Sequence, residues 1–145
     1  MEANGRKIQI FVVEDNPGDI QLLRMALDTA DLDYALTVVS DGREALDFVQ
    51  QRGKYAHTSP PDLAILDLNL PKNDGLEILA AMRANGAFQE VPVAVLSSSS
   101  SPRDRAGVER FGIGRFIAKP PDLDEYLKIG LMIKELLAEK HSGRN

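Results

Sequence analysis

The 145-residue sequence predicts one doubly wound α/β domain, five parallel β-strands alternating with five helices. Three observations carry that expectation. Short apolar runs of strand length recur five times along the chain. Each is followed by a stretch whose apolar positions repeat at helical spacing, the pattern of a parallel sheet covered on both faces. Helix starts are marked by caps: Asn16 before Pro17, Asp41 with Glu44 three residues on, and Ser101 before Pro102.

In chain order, IQIFVV (8–13) is the first strand, and PGDIQLLRMALDTA (17–30) sets Ile20, Leu23 and Leu27 on one helical face. ALTVV is the second strand, and a helix runs from Asp41 to about Gln51. RGKYAHTSPP is a Pro-ending loop long enough to be a local insertion. The third strand opens with Ala64, Ile65 and Leu66, and Gly75 leads into LEILAAMRANG, closed by Gly86. VPVAVLS is the fourth strand, followed by a helix from Ser101 to about Phe111. RFIA is a short fifth strand, DLDEYLKIGLMIKELLAEK the last helix, and HSGRN a frayed tail. A single domain over 1–145 is expected, with its core at about 8–138.

The formal net charge of −5 argues against direct contact with nucleic acid. The chain contains no cysteine, which excludes disulfides, thiolate metal sites and cysteine nucleophiles. No apolar stretch reaches membrane-spanning length, so the expected setting is the cytoplasm, away from a membrane.

Ligands of an open parallel sheet bind beyond the carboxyl ends of its strands, where strand order reverses. Strand one ends in Glu14 and Asp15, strand three in Asp67, strand four in Ser97 and strand five in Lys119. In the order 2-1-3-4-5 the end of strand two is peripheral, and three carboxylates, a hydroxyl and an ammonium share one edge. Carboxylates so close repel one another unless a cation intervenes. A hard divalent ion such as Mg²⁺, which keeps waters and accepts phosphate oxygens, resolves the conflict. Asp67 then suits a nucleophile that takes a phosphoryl group, with Lys119 and Ser97 contacting its oxygens. Taken singly, each feature has a plain reading as a turn residue, a helix cap or loop filler; their joint placement does not.

These residues resemble the receiver domain of two-component response regulators over residues 8 to about 138, with a flavodoxin-like fold and strand order 2-1-3-4-5. The resemblance implies that Glu14 and Asp15 in VVEDN bind Mg²⁺ (or Mn²⁺) and that Asp67 is the phosphate acceptor. It makes the backbone carbonyl of Asn69 a metal ligand, Ser97 the switch hydroxyl and Lys119 the family lysine, with a cis Lys119–Pro120 bond. Phe116 stands where tyrosine is common, and it can switch rotamer but lacks the hydroxyl. VEDNPGDIQLLRMAL and LDLNLPKNDGLEIL look more narrowly like single-domain regulators paired with phytochrome-type histidine kinases.

The function expected is that of a stand-alone, non-enzymatic regulator. A sensor histidine kinase phosphorylates it, and it signals through the fourth helix, fifth strand and fifth helix. Apolar residues of the last helix span roughly 260° of its wheel, more than sheet packing uses, which suggests a homodimer contact. A phosphorylation-independent docking module, a phosphorelay intermediate, a flavodoxin-like electron carrier and an aspartate-nucleophile phosphatase are the competing readings. The acidic EDNPGD loop disfavours a flavin phosphate. The third-strand placement of Asp67, with Asn69 two residues on, disfavours the phosphatase.

Overall fold

The computed structural model describes residues 7–68, 74–98 and 102–143. Five parallel strands stand in the order β2-β1-β3-β4-β5, as expected. They are β1 (Ile8–Val13), β2 (Tyr34–Val39), β3 (Leu63–Asp67), β4 (Val93–Ser97) and β5 (Arg115–Ala118). Helices α1 (Pro17–Thr29), α2 (Gly42–Val49), α3 (Asp74–Ala84) and α4 (Pro102–Glu109) follow the first four strands. The last helical stretch is divided into α5 (Leu123–Leu127) and α6 (Ile129–Gly143).

Successive strand residues face opposite sides, so the two faces build separate cores. Phe11, Val13, Ala64, Leu66, Val93 and Val95 pack with α2, α3 and α4. Phe48 of α2 stacks on Phe11 at 4.0 Å and meets Phe88 edge-on at 5.9 Å. Ile10, Val12, Leu63, Ile65, Ala94 and Leu96 face α1, α5 and α6. The central strands β3 and β4 are buried along their whole length, which is why their sequences are apolar without alternation.

Two of the expected caps form. Asn16 accepts from the Asp19 amide at 3.1 Å and Asp41 from the Glu44 amide at 2.8 Å. The Glu44 carboxylate, however, accepts from the Tyr55 hydroxyl at 2.7 Å and pairs with Lys54 at 3.2 Å. That contact pins the loop after α2, where Gly53–Tyr55 form a single 3₁₀ turn. Of the expected frayed tail, residues 141–143 instead continue the last helix, while residues 144–145 and the third expected cap, at Ser101, lie outside the described residues.

Arg83, near the end of α3, clips three segments together. Its Nε donates to Phe111 O at 2.7 Å and its Nη2 to Gly112 O at 3.2 Å. Nη1 reaches the carbonyls of Phe88, Gln89 and Val91 at 3.3, 3.1 and 3.2 Å. One planar cation thus satisfies five backbone carbonyls, a use for which a lysine has too few directed donors.

The expected single last helix breaks at Lys128, between α5 and α6. The apolar spacing runs through the break, and periodicity alone therefore did not reveal it. Gly130 follows the break and lies against the α1 backbone; a Cβ there would collide with the Ala26 carbonyl. Close approach of α6 to α1 therefore requires glycine at this position. Lys134, which interrupts the apolar arc, donates to Ala30 O at the end of α1 at 3.2 Å. Ile129, Ile133 and Leu136 are buried, whereas Leu123 and Leu131 remain 47% and 54% exposed.

Candidate functional site at the carboxyl edge of the sheet

Parallel registry brings the expected residues to one edge. Asp67 is the last residue of β3 and stands opposite Leu96, while Ser97 ends β4 opposite Ala118. Lys119 follows directly, its amide donating to Ser97 O at 2.7 Å. Glu14 follows β1, its amide bonded to Val39 O at 3.0 Å. The side chains are sequestered as well as gathered: Glu14 and Asp67 are each 4% exposed and Ser97 is 1% exposed.

Lys119 is the centre of the cluster. Its Nζ lies 3.0 Å from Asp19 Oδ2, 3.2 Å from Asp67 Oδ2 and 3.5 Å from Glu14 Oε1. Burial works to lower the Lys119 pKa. The Asp19 hydrogen bond, with Asp67 and Glu14, outweighs it and holds the ammonium above its ordinary value. Glu14 also accepts from the Asn16 amide at 3.1 Å.

Asp19, in the first turn of α1, was not singled out from sequence. An acidic residue three positions after a helix cap has a sufficient local reason to be there, because it favours the helix N-terminus. Only the reach of Lys119 across the sheet edge reveals its second partner. Asp15 is exposed and outside the cluster, because extended backbone turns neighbouring side chains to opposite sides. Asn69 lies outside the described residues. Phe116 on β5 is half-buried, with the Arg105 guanidinium 5.3 Å from its ring centroid.

The expected cis bond at Lys119–Pro120 is not found: no peptide bond among the described residues is cis. The trans form before proline is favoured by about 0.5–1 kcal/mol. With the Lys119 amide on Ser97 and its ammonium among three carboxylates, the trans chain already delivers the side chain.

Single carboxylate oxygens of Glu14, Asp19 and Asp67 lie within 4.8 Å of one another. Such an all-oxygen, partly buried set fits a hard divalent cation and gives a softer metal no nitrogen or sulfur ligand. Burial, followed by the neighbouring Asp67 carboxylate, raises the Glu14 pKa from 4.5 to about 7, against the opposing pull of Lys119. Because the folded value lies above the unfolded one, ionising Glu14 costs stability as pH rises from 4.5 to about 7. For the same reason a divalent ion must expel a proton below about pH 7. Its affinity is expected to fall by up to about tenfold per pH unit there and to level off above. Calorimetry in two buffers of different ionisation enthalpy measures the proton released. A pH-independent affinity between pH 5 and 8 contradicts the raised value.

The comparisons with known proteins agree with this geometry. The family model for the response regulator receiver domain matches residues 10–129. The chain is 35% identical over 128 residues to response regulator Rcp1 of Synechocystis sp., covering 88% of this chain and 86% of that protein. It superposes on the phosphorylated cyanobacterial phytochrome response regulator RcpA with a TM-score of 0.83 and 37% identity, covering 92% and 95% of the two chains. Against the Mn²⁺-bound form of Rcp1 the TM-score is 0.79 at 34% identity, covering 88% of this chain and 91% of that one. The chain therefore belongs to the response regulator receiver domains, the phosphate-accepting signalling modules of two-component systems.

Proposed function

We propose that Asp67 is the residue phosphorylated in this receiver, with a sensor histidine kinase of the phytochrome type as donor. The observation that carries this is the placement of a buried strand-end carboxylate 3.2 Å from a lysine ammonium, beside a second carboxylate. An Asp67 oxygen attacks phosphorus, the new O–P bond forms, and the bond to the donor histidine nitrogen or acyl oxygen breaks with its electron pair leaving on the donor. Lys119 then turns its ammonium to a phosphoryl oxygen, and Ser97, one strand over, donates from its hydroxyl. A bound Mg²⁺ would be held by Asp67 and, directly or through water, by Glu14 and Asp15, with the Asn69 carbonyl as the further ligand the resemblance implies, and would supply positive charge against the transferring group.

The similarity to RcpA, a cyanobacterial phytochrome response regulator, supports a phytochrome-linked kinase as partner. Resting on the whole chain as one receiver unit, the reading is of a cytoplasmic signalling protein that turns over only its own phosphoryl group. No helix of the described residues is long and apolar enough to cross a membrane. Incubation with Mg²⁺ and a small acyl phosphate, followed by intact mass, tests the assignment. One phosphoryl addition is expected, mapping to the β3 peptide and absent with a chelator. No addition, even with a cognate kinase, or addition at another residue, rejects it.

Output through α4, β5 and α6 is the second part of the proposal. A groove of about 510 Å³ lined by Arg105, Glu109, Phe116 and Met132 lies on this face, and α6 also carries the exposed Leu131. A second copy of the chain is the proposed occupant. Sedimentation at micromolar concentration should show a dimer with a phosphoryl mimic; monomer alone in both states removes this part.

A further inference from the structure

One buried polar atom at the site has no use in the scheme above. The Tyr126 side chain is 3% exposed, and its hydroxyl has no hydrogen-bond partner among the described residues. Tyr126 stands on α5, which packs directly on α1, the helix that carries Asp19. Burial, then the charge of Asp19 with smaller effects of Glu14 and Asp67, pushes its pKa up to about 12 against Lys119. A buried hydroxyl left without a partner loses its hydration with nothing in return, so it is unusual unless another state of the site supplies one.

Asp19 is the other group without a role in the phosphotransfer scheme, although one of its oxygens belongs to the carboxylate set that fits a cation. Of the three carboxylates around Lys119 it is the nearest to the ammonium, at 3.0 Å, and it sits on a helix rather than at a strand end. We propose that Asp19 and Tyr126 form a docking station for Lys119: Asp19 holds the ammonium beside Asp67, and the Tyr126 hydroxyl replaces that ammonium on Asp19 when Lys119 turns to a phosphoryl group. Asp19 and Tyr126 are thus positioning residues acting through Lys119. Without Asp19, an entering cation would have to drive the ammonium out of the cluster. With it, the ammonium shifts its weight from Asp67 and Glu14 to a partner it already touches. Without the Tyr126 hydroxyl, turning Lys119 would strip the Asp19 carboxylate of its donor.

This inference rests on the phosphoacceptor reading of the site, yet its first test is independent of phosphorylation. Mn²⁺ binding, followed by electron paramagnetic resonance of the free ion, reads the cluster whether or not Asp67 takes a phosphoryl group. Asp19→Asn is expected to weaken Mn²⁺ binding about tenfold in the wild-type background, and by less than about threefold when Lys119→Met is also present. A loss as large in the Lys119→Met background makes Asp19 a metal ligand in its own right and overturns the proposal, as does no loss in either. Tyr126→Phe keeps the ring and removes only the hydroxyl. It should leave Mn²⁺ binding unchanged and the metal-free melting temperature equal or higher. Affinity for Mg²⁺ with beryllofluoride, a phosphoryl mimic, should fall roughly two- to tenfold. Unchanged beryllofluoride affinity, or an equal loss in Mn²⁺ binding, overturns the part given to Tyr126.

Discussion

Asp67→Asn is expected to accept no phosphoryl group from an acyl phosphate or a kinase, while keeping its fold. The substitution is isosteric, but an amide offers no anionic oxygen to attack phosphorus. A second effect follows from the electrostatics of the pair. Asp67 is, after burial, the main cause of the raised Glu14 pKa, so the asparagine variant should bring that pKa down. The pH at which metal affinity levels off should therefore move down as well, although the affinity itself falls with one anion gone. Intact mass and a metal titration across pH separate the two effects. A phosphoryl gain by the variant would place the acceptor elsewhere, and an unmoved inflection would mean that burial alone controls Glu14.

Lys119→Met should produce opposite changes in two properties of the same site. Metal-free, the variant leaves Glu14, Asp19 and Asp67 without the ammonium that lies 3.0–3.5 Å from each. Removing one partner of a buried ion pair costs about 3–5 kcal/mol, here reduced because Glu14 can take up a proton. The melting temperature in chelator should therefore drop well below wild type. Mg²⁺ should restore most of the loss and bind more tightly than to wild type, because it no longer competes with an internal cation. Phosphoryl uptake should nevertheless slow by about 10²–10³, the usual effect of removing one charged donor from a developing oxyanion. A variant that melts like wild type in chelator would show that the three ion pairs contribute nothing net. One that is phosphorylated at the wild-type rate would remove Lys119 from the chemistry.

The strand ends that carry Glu14, Asp67, Ser97 and Lys119 were legible in the sequence, because they lie where apolar runs stop, whereas the strand order that gathers them came from the resemblance to receiver domains. A parallel strand buried on both faces tolerates a charge only at its end, so an Asp after Ala64–Ile65–Leu66 marks both the end and the site. Asp19 was not legible, since its local role at the start of α1 hides its long-range one. The division at Lys128 was hidden because apolar spacing continues across it. The insertion-like loop after α2 proved to be anchored by Tyr55, whose ring packs edge-on to Phe48 at 5.1 Å. Nothing in the loop's own composition announces that contact. The trans Lys119–Pro120 bond departs from the family expectation.

Arg83 has a mechanical meaning for α4. That helix buries only one side chain along its length, Val108, near its carboxyl end. Just beyond that end, Phe111 and Gly112 are held by the Arg83 guanidinium to the end of α3 and the 88–91 segment. α4 is therefore a lever with its fulcrum at the α4–β5 corner and its free arm toward Ser97. If Asp67 is phosphorylated as proposed, a small displacement at that end would swing the exposed face of α4 about the held corner. In the proposed reading, the rest of the sheet would stay rigid while one helix carries the message.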